Sequence, residues 1–186
     1  VGMIVATFFL PSSVHGENYR IVKIADSNGE IVALLTAGVA APEGALGLAA
    51  MNEAGDVVFG ASLKSGGEAI VTGSGGSLST IMDSISGPFS YFTGWPSINN
   101  EGAVAFTAYR KDGILGVYTV KNSVLTPIVE HTSTEVLNGF GPPSINDSGT
   151  VAFRSYVSSI PGVDGDGGGQ RILKSNGGAL TTVAST

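Results

Sequence analysis

An eight-residue motif occurs three times in this chain at a fixed interval, and it constrains the fold more than any other feature. Residues 52–59, 99–106 and 146–153 are Asn-Glu-Ala-Gly-Asp-Val-Val-Phe, Asn-Asn-Glu-Gly-Ala-Val-Ala-Phe and Asn-Asp-Ser-Gly-Thr-Val-Ala-Phe. Their first residues are 47 positions apart in both intervals. A fixed period of this length is typical of repeat architectures, in which each repeat is one supersecondary unit.

The similarity continues on both sides of the motif. An apolar run precedes each Asn, an apolar pair follows a variable loop, and a further apolar segment follows a polar turn. A degenerate copy that starts at Gly2 includes Ile21, Val22 and the segment 31–34. The sequence therefore predicts one repeat domain over residues 1–186. Its four repeats lie at approximately 1–42, 43–89, 90–136 and 137–186, and the first lacks its leading segment.

Each repeat is predicted to form four strands, which we call strands a to d. The Asn-x-x-Gly step is a tight turn between strands a and b. We expect the Asn side chain to accept a hydrogen bond from a backbone N–H two residues on, and the Gly to have positive φ. This structural role is assigned to Asn52, Gly55, Asn99, Gly102, Asn146 and Gly149. The turns between strands c and d carry Asn28-Gly29, Gly75-Gly76, Asn122-Ser123 and Asn176-Gly177, which are hairpin signals. The segment 31–34 is predicted to be strand d of the first repeat.

Strand b is apolar on both faces, with larger residues on one face and small ones on the other. In residues 103–106 these faces carry Val104 and Phe106 against Ala103 and Ala105. A strand without a polar face is covered on both sides. The predicted fold is therefore all-β, a β-propeller-like array of four four-stranded repeats of about 47 residues. A linear β-solenoid of small sheets is the alternative.

The incomplete first repeat predicts a partner. Its missing strand a leaves an unpaired sheet edge, and such edges add strands from other chains. We expect a neighbouring copy or flanking repeats to occupy this edge. In a closed ring of four, the long loops of repeats 1 and 4 would also emerge side by side.

Composition excludes several classes of function. The net charge is −6, charged residues make up only 13% of the chain, and there is no cysteine. An acidic surface that is poor in Lys and Arg argues against nucleic-acid binding. No apolar stretch reaches the roughly 20 residues of a membrane helix, so membrane insertion is not expected. Disulfides and thiolate metal sites are impossible.

The two long loops supply the candidate metal site. Residues 164–167 are Asp-Gly-Asp-Gly, and alternate carboxylates can converge on a hard cation. Asp164 and Asp166 are therefore candidate Ca²⁺ ligands, weighed against a flexible glycine loop with solvated acids. His15 and Glu17, in the long loop of the first repeat, are candidate ligand-binding residues. No other cofactor is expected.

Aromatic residues are concentrated just before the motif of the third repeat, residues 99–106. Tyr91, Phe92 and Trp95 are candidate ligand-binding residues if they stand exposed on a loop between strands d and a, where they could stack on sugar rings. If they are buried, they belong to the core. Trp95 takes the position of Leu48 and Pro142 in the neighbouring repeats, which favours the core. The sequence leaves Tyr91 and Phe92 undecided.

Catalytic motifs are missing from the sequence. His15 and His131 are the only imidazoles, and no nucleophile elbow, phosphate loop or His-Glu-x-x-His motif occurs. Carboxylate pairs for glycoside hydrolysis would meet only in the fold. The prediction is that the protein is not an enzyme.

The tandem Asn-x-x-Gly-x-x-Ala-Phe motif resembles the bacterial NxxGxxAF-containing tandem repeat proteins. Residues 99–106 and 146–153 match the pattern fully, Val58 departs from it, and the first copy keeps only Gly2. The resemblance implies an exported protein at the bacterial cell surface and implies no chemistry. We expect a non-catalytic extracellular module for structure or assembly. The alternative is a carbohydrate- or small-ligand-binding propeller.

Overall fold

The computed structural model describes residues 22–25, 31–36, 39–40, 48–131, 137–157 and 169–186. Every regular element in these ranges is a β-strand, so the all-β class is confirmed. The strands form three antiparallel sheets that follow one another along the chain. We call them sheets II, III and IV after the repeats to which most of their strands belong.

Sheet II contains six strands, and sheet III shows the pattern of a complete repeat. Sheet II is built from β1 (Ile31–Thr36), β2 (Val39–Ala40), β3 (Ala50–Met51), β4 (Val57–Leu63), β5 (Glu68–Gly73) and β6 (Ser79–Asp83). Sheet III is built from β7 (Phe89–Ile98), β8 (Val104–Arg110), β9 (Leu115–Lys121) and β10 (Val124–Glu130). Its order, β10-β9-β8-β7, places the predicted strands d, c, b and a side by side.

Sheet IV repeats this order with an interrupted strand a. Its strands are β11 (Leu137–Phe140), β12 (Ser144–Ile145), β13 (Val151–Val157), β14 (Gly169–Ser175) and β15 (Thr181–Ser185). β11 and β12 both pair with β13, one with each half of it. β7 covers both halves of β8 in the same way, with an irregularity between Thr93 and Ser97. Strand a thus has two halves in both sheets. The outer half comes first in the chain (β11, and residues 89–93 of β7), and the inner half lies next to the motif (β12, and residues 97–98 of β7).

The segment 31–34 forms a strand, but the prediction that it belongs to a separate first sheet was wrong. β1 pairs with the outer half of β4, with Leu34 opposite Ala61, the position that Phe92 takes opposite Ala108 in sheet III. It therefore fills the place of an outer strand a in sheet II rather than strand d of a separate first sheet. The physical reason is burial, because Ile31 packs with Phe59, Ala61, Ala69 and Val71 on that face of sheet II.

The hairpin turns follow the sequence signals where the structure describes them. Asn122 and Ser123 both have positive φ, of 51° and 64°, and they join β9 and β10 as a two-residue loop. Two consecutive positive φ angles define a type I′ turn, whose twist matches that of the flanking strands. Gly75 and Gly177 also have positive φ in the equivalent turns. Asn28-Gly29 lies outside the described residues.

The sheets pack face to face through apolar side chains. Val104, Phe106 and Tyr118 of sheet III pack against Val58 and Ile70 of sheet II. The opposite face of sheet III, with Ala105 and Val117, packs against sheet IV through side chains that include Val151, Phe153 and Leu173. Strand b of sheet III is therefore buried on both faces, as its sequence predicts.

The described strands do not close into a ring. The face of sheet IV that points away from sheet III carries Ile172, which is 40% exposed. In a closed four-blade ring this face would lie against repeat 1 and be buried. The three sheets of the described chain are thus an open stack, and the predicted juxtaposition of the two long loops falls on residues outside the described ranges.

Candidate functional site

The turns between strands a and b have the same geometry in all three motifs. The Gly N–H donates to the Asn carbonyl oxygen at 2.9–3.1 Å, and Gly55, Gly102 and Gly149 have φ of 84°, 72° and 79°. The Asn Oδ1 accepts from the backbone N–H four residues on, at 2.8–2.9 Å. The predicted donor, two residues on, was wrong. The Asn spans the whole turn because its own N–H also donates to the carbonyl of that fourth residue.

The same asparagines connect one repeat to the next. Nδ2 of Asn52 donates to the carbonyl oxygen of Asn99 at 3.2 Å, and Nδ2 of Asn99 donates to the carbonyl oxygen of Asn146 at 2.9 Å. Each bond joins residues 47 positions apart. The amide thus uses its oxygen within its own turn and its nitrogen between turns, which requires both halves of an Asn side chain. We call this series of bonds the asparagine ladder.

A second row of hydrogen bonds runs beside the ladder. The backbone N–H of Glu53 donates to Oδ1 of Asn100 at 2.8 Å, and the N–H of Asn100 donates to Oδ1 of Asp147 at 2.9 Å. Nδ2 of Asn100 adds a bond to Oδ2 of Asp147 at 3.0 Å. The residue after the ladder Asn therefore accepts, through its side-chain oxygen, a hydrogen bond from a backbone N–H of the preceding turn.

The ladder has an open end at the last repeat. Asn52 and Asn99 are 8% and 4% exposed because the next turn covers each of them, whereas Asn146 is exposed. Within the described ranges, Nδ2 of Asn146 and the N–H of Asp147 have no acceptor. Sequence reasoning missed these inter-repeat bonds. The signal was present, since an amide or carboxylate follows Asn99 and Asn146 in the chain.

The aromatic segment lies on a strand and not on a loop, which was one of the two alternatives that the sequence left open. Tyr91, Phe92 and Trp95 all belong to β7. Phe92 is buried in an aromatic cluster with Phe89 and Phe106 at centroid distances of 5.4–5.7 Å. Phe92 is therefore a core residue.

Tyr91 lies on the opposite side of the same strand. It is 38% exposed and stacks on Tyr109, with centroids 4.6 Å apart and an interplanar angle of 22°. Its partial burial, the neighbouring Tyr109 and the carboxylate of Glu68 raise the pKa of Tyr91 above its ordinary value. Two stacked tyrosines at a strand edge form a small aromatic ledge.

Trp95 is partly buried within the irregular part of β7. Its Nε1 and the Oγ of Ser97 are both buried without a hydrogen-bond partner in the described chain. An indole N–H or a hydroxyl is normally paired when buried, so burying these two groups without partners costs free energy. The side chain is thus mostly enclosed rather than displayed, and does not extend the ledge of Tyr91 and Tyr109.

Glu68 joins sheet II to the edge strand of sheet III. Its Oε2 accepts from the backbone N–H of Phe92 at 2.9 Å, while its own N–H donates to Oγ of Ser84. An edge strand presents unpaired N–H groups that invite strand addition. The carboxylate occupies one of these groups on β7 and so protects that edge within the chain.

A charged network lies at the same end of sheet III, where Arg110 of β8 is opposite Phe89 of β7. Arg110 donates to Glu130 at 3.0 Å and to Asp112 at 2.7 Å, and the hydroxyl of buried Tyr118 donates to the same Glu130 oxygen at 3.0 Å. Burial, followed by the negative charge of Glu130, raises the pKa of Tyr118 far above its ordinary value. Each of these four side chains is engaged by another member of the network, which is typical of a structural arrangement.

The remaining predicted site residues cannot be placed. His15, Glu17, Asp164 and Asp166 lie outside the described residues, so the Ca²⁺ prediction stays a prediction. Among the residues that are described, no three His, Asp or Glu side chains lie close enough to hold a metal ion. The described part of the chain also has no helix that is long and apolar enough to span a membrane.

Comparisons with models of known protein families, with curated proteins and with solved structures each found no match. The likeness to the NxxGxxAF repeat proteins therefore rests on the motif alone.

Proposed function

We propose that this chain is a non-catalytic structural module whose repeats assemble by stacking turn on turn and sheet on sheet. The asparagine ladder carries this proposal, because it links three successive repeats through the same pair of atoms each time. Its residues are consumed by structural hydrogen bonds within and between turns. A motif that is repeated for catalysis would instead leave polar groups free to meet a substrate.

We further propose that the sheets are arranged radially, like the blades of a propeller. The backbones of packed sheets lie about 10 Å apart, whereas at the turns between strands a and b one Asn side chain reaches from one backbone to the next through hydrogen bonds of 2.9–3.2 Å. Sheets that are closest at one corner spread apart as a fan. This convergence favours a radial array over a linear solenoid, in which the spacing would stay even.

The proposed location is extracellular, at a bacterial cell surface. The motif's resemblance to exported repeat proteins supports it. We propose partners of the same kind, either a second copy or flanking repeats. Stacking of the repeats requires no metal cofactor, although Asp164 and Asp166 keep a Ca²⁺ site open to test. A rise in melting temperature with millimolar Ca²⁺ would support that site.

Sedimentation velocity over a concentration range tests the assembly function. The proposal predicts a sedimentation coefficient that rises with protein concentration. A strictly monomeric chain at several hundred micromolar would contradict it.

A ligand-binding function is the second candidate, and the exposed ledge of Tyr91 and Tyr109 favours it. Flat aromatic surfaces bind the apolar faces of sugar rings. A glycan array with the wild type and with Tyr91→Ala tests this function, and Val124→Ala, which truncates another exposed side chain of sheet III, is the control. Binding that is lost only in Tyr91→Ala would establish a ligand site, and no binding by the wild type would remove the candidate.

A further inference from the structure

We propose that the free face of sheet IV binds a second copy of this chain, which continues the stack in the place of a fifth repeat. This inference rests on the assembly function proposed above and names the surface that performs it. The surface, called the outer face below, consists of alternate residues on β13 and β14: Ala152, Arg154, Tyr156, Gln170, Ile172 and Lys174.

The outer face is an uncovered version of two interfaces that the chain already contains. Ile70 and Val117 hold the equivalent position in sheets II and III, and they are 1% and 0% exposed because the next sheet lies on them. Ile172 holds that position in sheet IV and is 40% exposed. A position that is buried in two sheets is thus exposed in the third, because no sheet of the described chain lies against it.

The open end of the ladder lies beside this face. Asn146 is exposed where its counterparts Asn52 and Asn99 are covered. An incoming Asn-x-x-Gly turn would offer a carbonyl oxygen to Nδ2 of Asn146 and a side-chain oxygen to the N–H of Asp147, as the internal turns do. The exposed apolar area at Ile172 and the open hydrogen-bond donors at Asn146 and Asp147 therefore favour the same occupant, which is another repeat with an Asn-x-x-Gly turn.

Charge selects a second copy among such occupants. Residues 137–186 carry three basic and three acidic side chains, so residues 1–136 carry six basic and twelve acidic ones and hold the entire net charge of −6. On the outer face Arg154 and Lys174 are both exposed, and Arg154 lies over the ring of Tyr156 at 4.6 Å. Those six positions include no acid. A cationic outer face and an acidic remainder within one chain attract each other between copies, head to tail.

The experiment compares the full-length wild type with Ile172→Glu, Lys174→Glu and Lys121→Glu by sedimentation velocity from 5 to 500 micromolar at low and high salt. Lys121→Glu is the matched control, because it changes the net charge as Lys174→Glu does but lies on sheet III, away from the outer face. Far-UV circular dichroism checks that each variant is folded. We expect Ile172→Glu and Lys174→Glu each to weaken association by at least about tenfold, the former because it would bury an unpaired carboxylate. Lys121→Glu, which makes the acidic remainder more acidic, should associate at least as strongly as the wild type, and high salt should weaken wild-type association.

Three outcomes would overturn the inference. If the wild type associates and both outer-face variants associate equally well, the surface is wrong while the assembly function stands. If Lys121→Glu weakens association as much as Lys174→Glu, net charge rather than this face is responsible. If the wild type stays monomeric throughout, both the surface and the assembly function fail.

Discussion

The side-chain nitrogen of Asn99 lies 2.9 Å from the carbonyl oxygen of Asn146, one repeat further along the chain. The oxygen of the same side chain accepts from the N–H of Ala103, 2.8 Å away within its own turn. A single buried amide therefore closes its turn and fixes the distance to the next one. Residues that are one repeat period apart in the sequence are thus in direct contact in the fold.

The effect of replacing a turn glycine should depend on its backbone φ angle and not on the space around it. Gly102 has φ of 72°, and a Cβ at this position would meet no other atom within 4 Å, so Gly102→Ala meets only backbone strain. We expect it to lower the free energy of unfolding by about 1–2 kcal/mol. Gly102→Asn should cost less, because Asn adopts positive φ more readily.

Gly76→Ala is the control for this substitution. A Cβ at Gly76 also meets open space, and the residue lacks positive φ. Its free energy of unfolding in urea should equal or slightly exceed that of the wild type. Equal losses in Gly76→Ala and Gly102→Ala would contradict the assigned turn geometry.

The link from Glu68 to the edge strand of sheet III should depend on an acceptor rather than on a charge. Glu68→Gln keeps a side-chain oxygen for the N–H of Phe92, whereas Glu68→Ala removes it. We expect Glu68→Ala to lower stability by about 1–2 kcal/mol, because it leaves the partly buried N–H of Phe92 without its acceptor. Glu68→Gln should lose less than half as much in the same urea titration. A glutamine variant as unstable as the alanine variant would show that charge, not the acceptor, matters.

Alkaline pH should destabilise the fold through Tyr118. Its pKa is raised in the folded protein, first by burial and then by Glu130, so the folded state holds the phenolic proton above pH 10 while the unfolded state releases it. Stability from this group is full below about pH 10 and falls as pH rises above it. Between pH 9 and 10.5 the loss should be roughly 1 kcal/mol.

Tyr118→Phe isolates that effect. The variant loses the hydrogen bond to Glu130 at every pH, but it should lose less additional stability than the wild type between pH 9 and 10.5. Urea unfolding at both pH values measures the difference. Identical alkaline losses in the two proteins would exclude Tyr118 as the cause.

The sequence predicted the repeated parts of the fold and misplaced the unrepeated ones. Turns such as Asn122-Ser123 are local, because two residues with positive φ decide them, and their chemistry is visible in the chain. The sheet membership of residues 31–34 is not local. It depends on which apolar surface Ile31 covers, and the period alone assigned it to the wrong sheet.

The candidate site divides in the same way. The turn role of Asn99 follows from its spacing to Gly102, but its bond to Asn146 joins two turns that meet only after the sheets have stacked. Tyr91 and Phe92 are adjacent in sequence, but Tyr91 is exposed and Phe92 is buried, because successive residues of a strand face opposite sides. The sequence left both undecided between an exposed loop and the core, because that alternation applies only once the segment is known to be a strand.

The ladder itself is tested most directly by Asn99→Asp and Asn146→Asp. Each substitution is isosteric and keeps an oxygen for the turn's own N–H. Only Asn99→Asp removes a hydrogen bond to another repeat, and it places a buried carboxylate against the carbonyl oxygen of Asn146. We predict that the free energy of unfolding in urea at pH 7 falls by about 2–3 kcal/mol in Asn99→Asp and by less than about 1 kcal/mol in exposed Asn146→Asp. Equal losses in the two variants would contradict the ladder and reduce the motif to three independent turns.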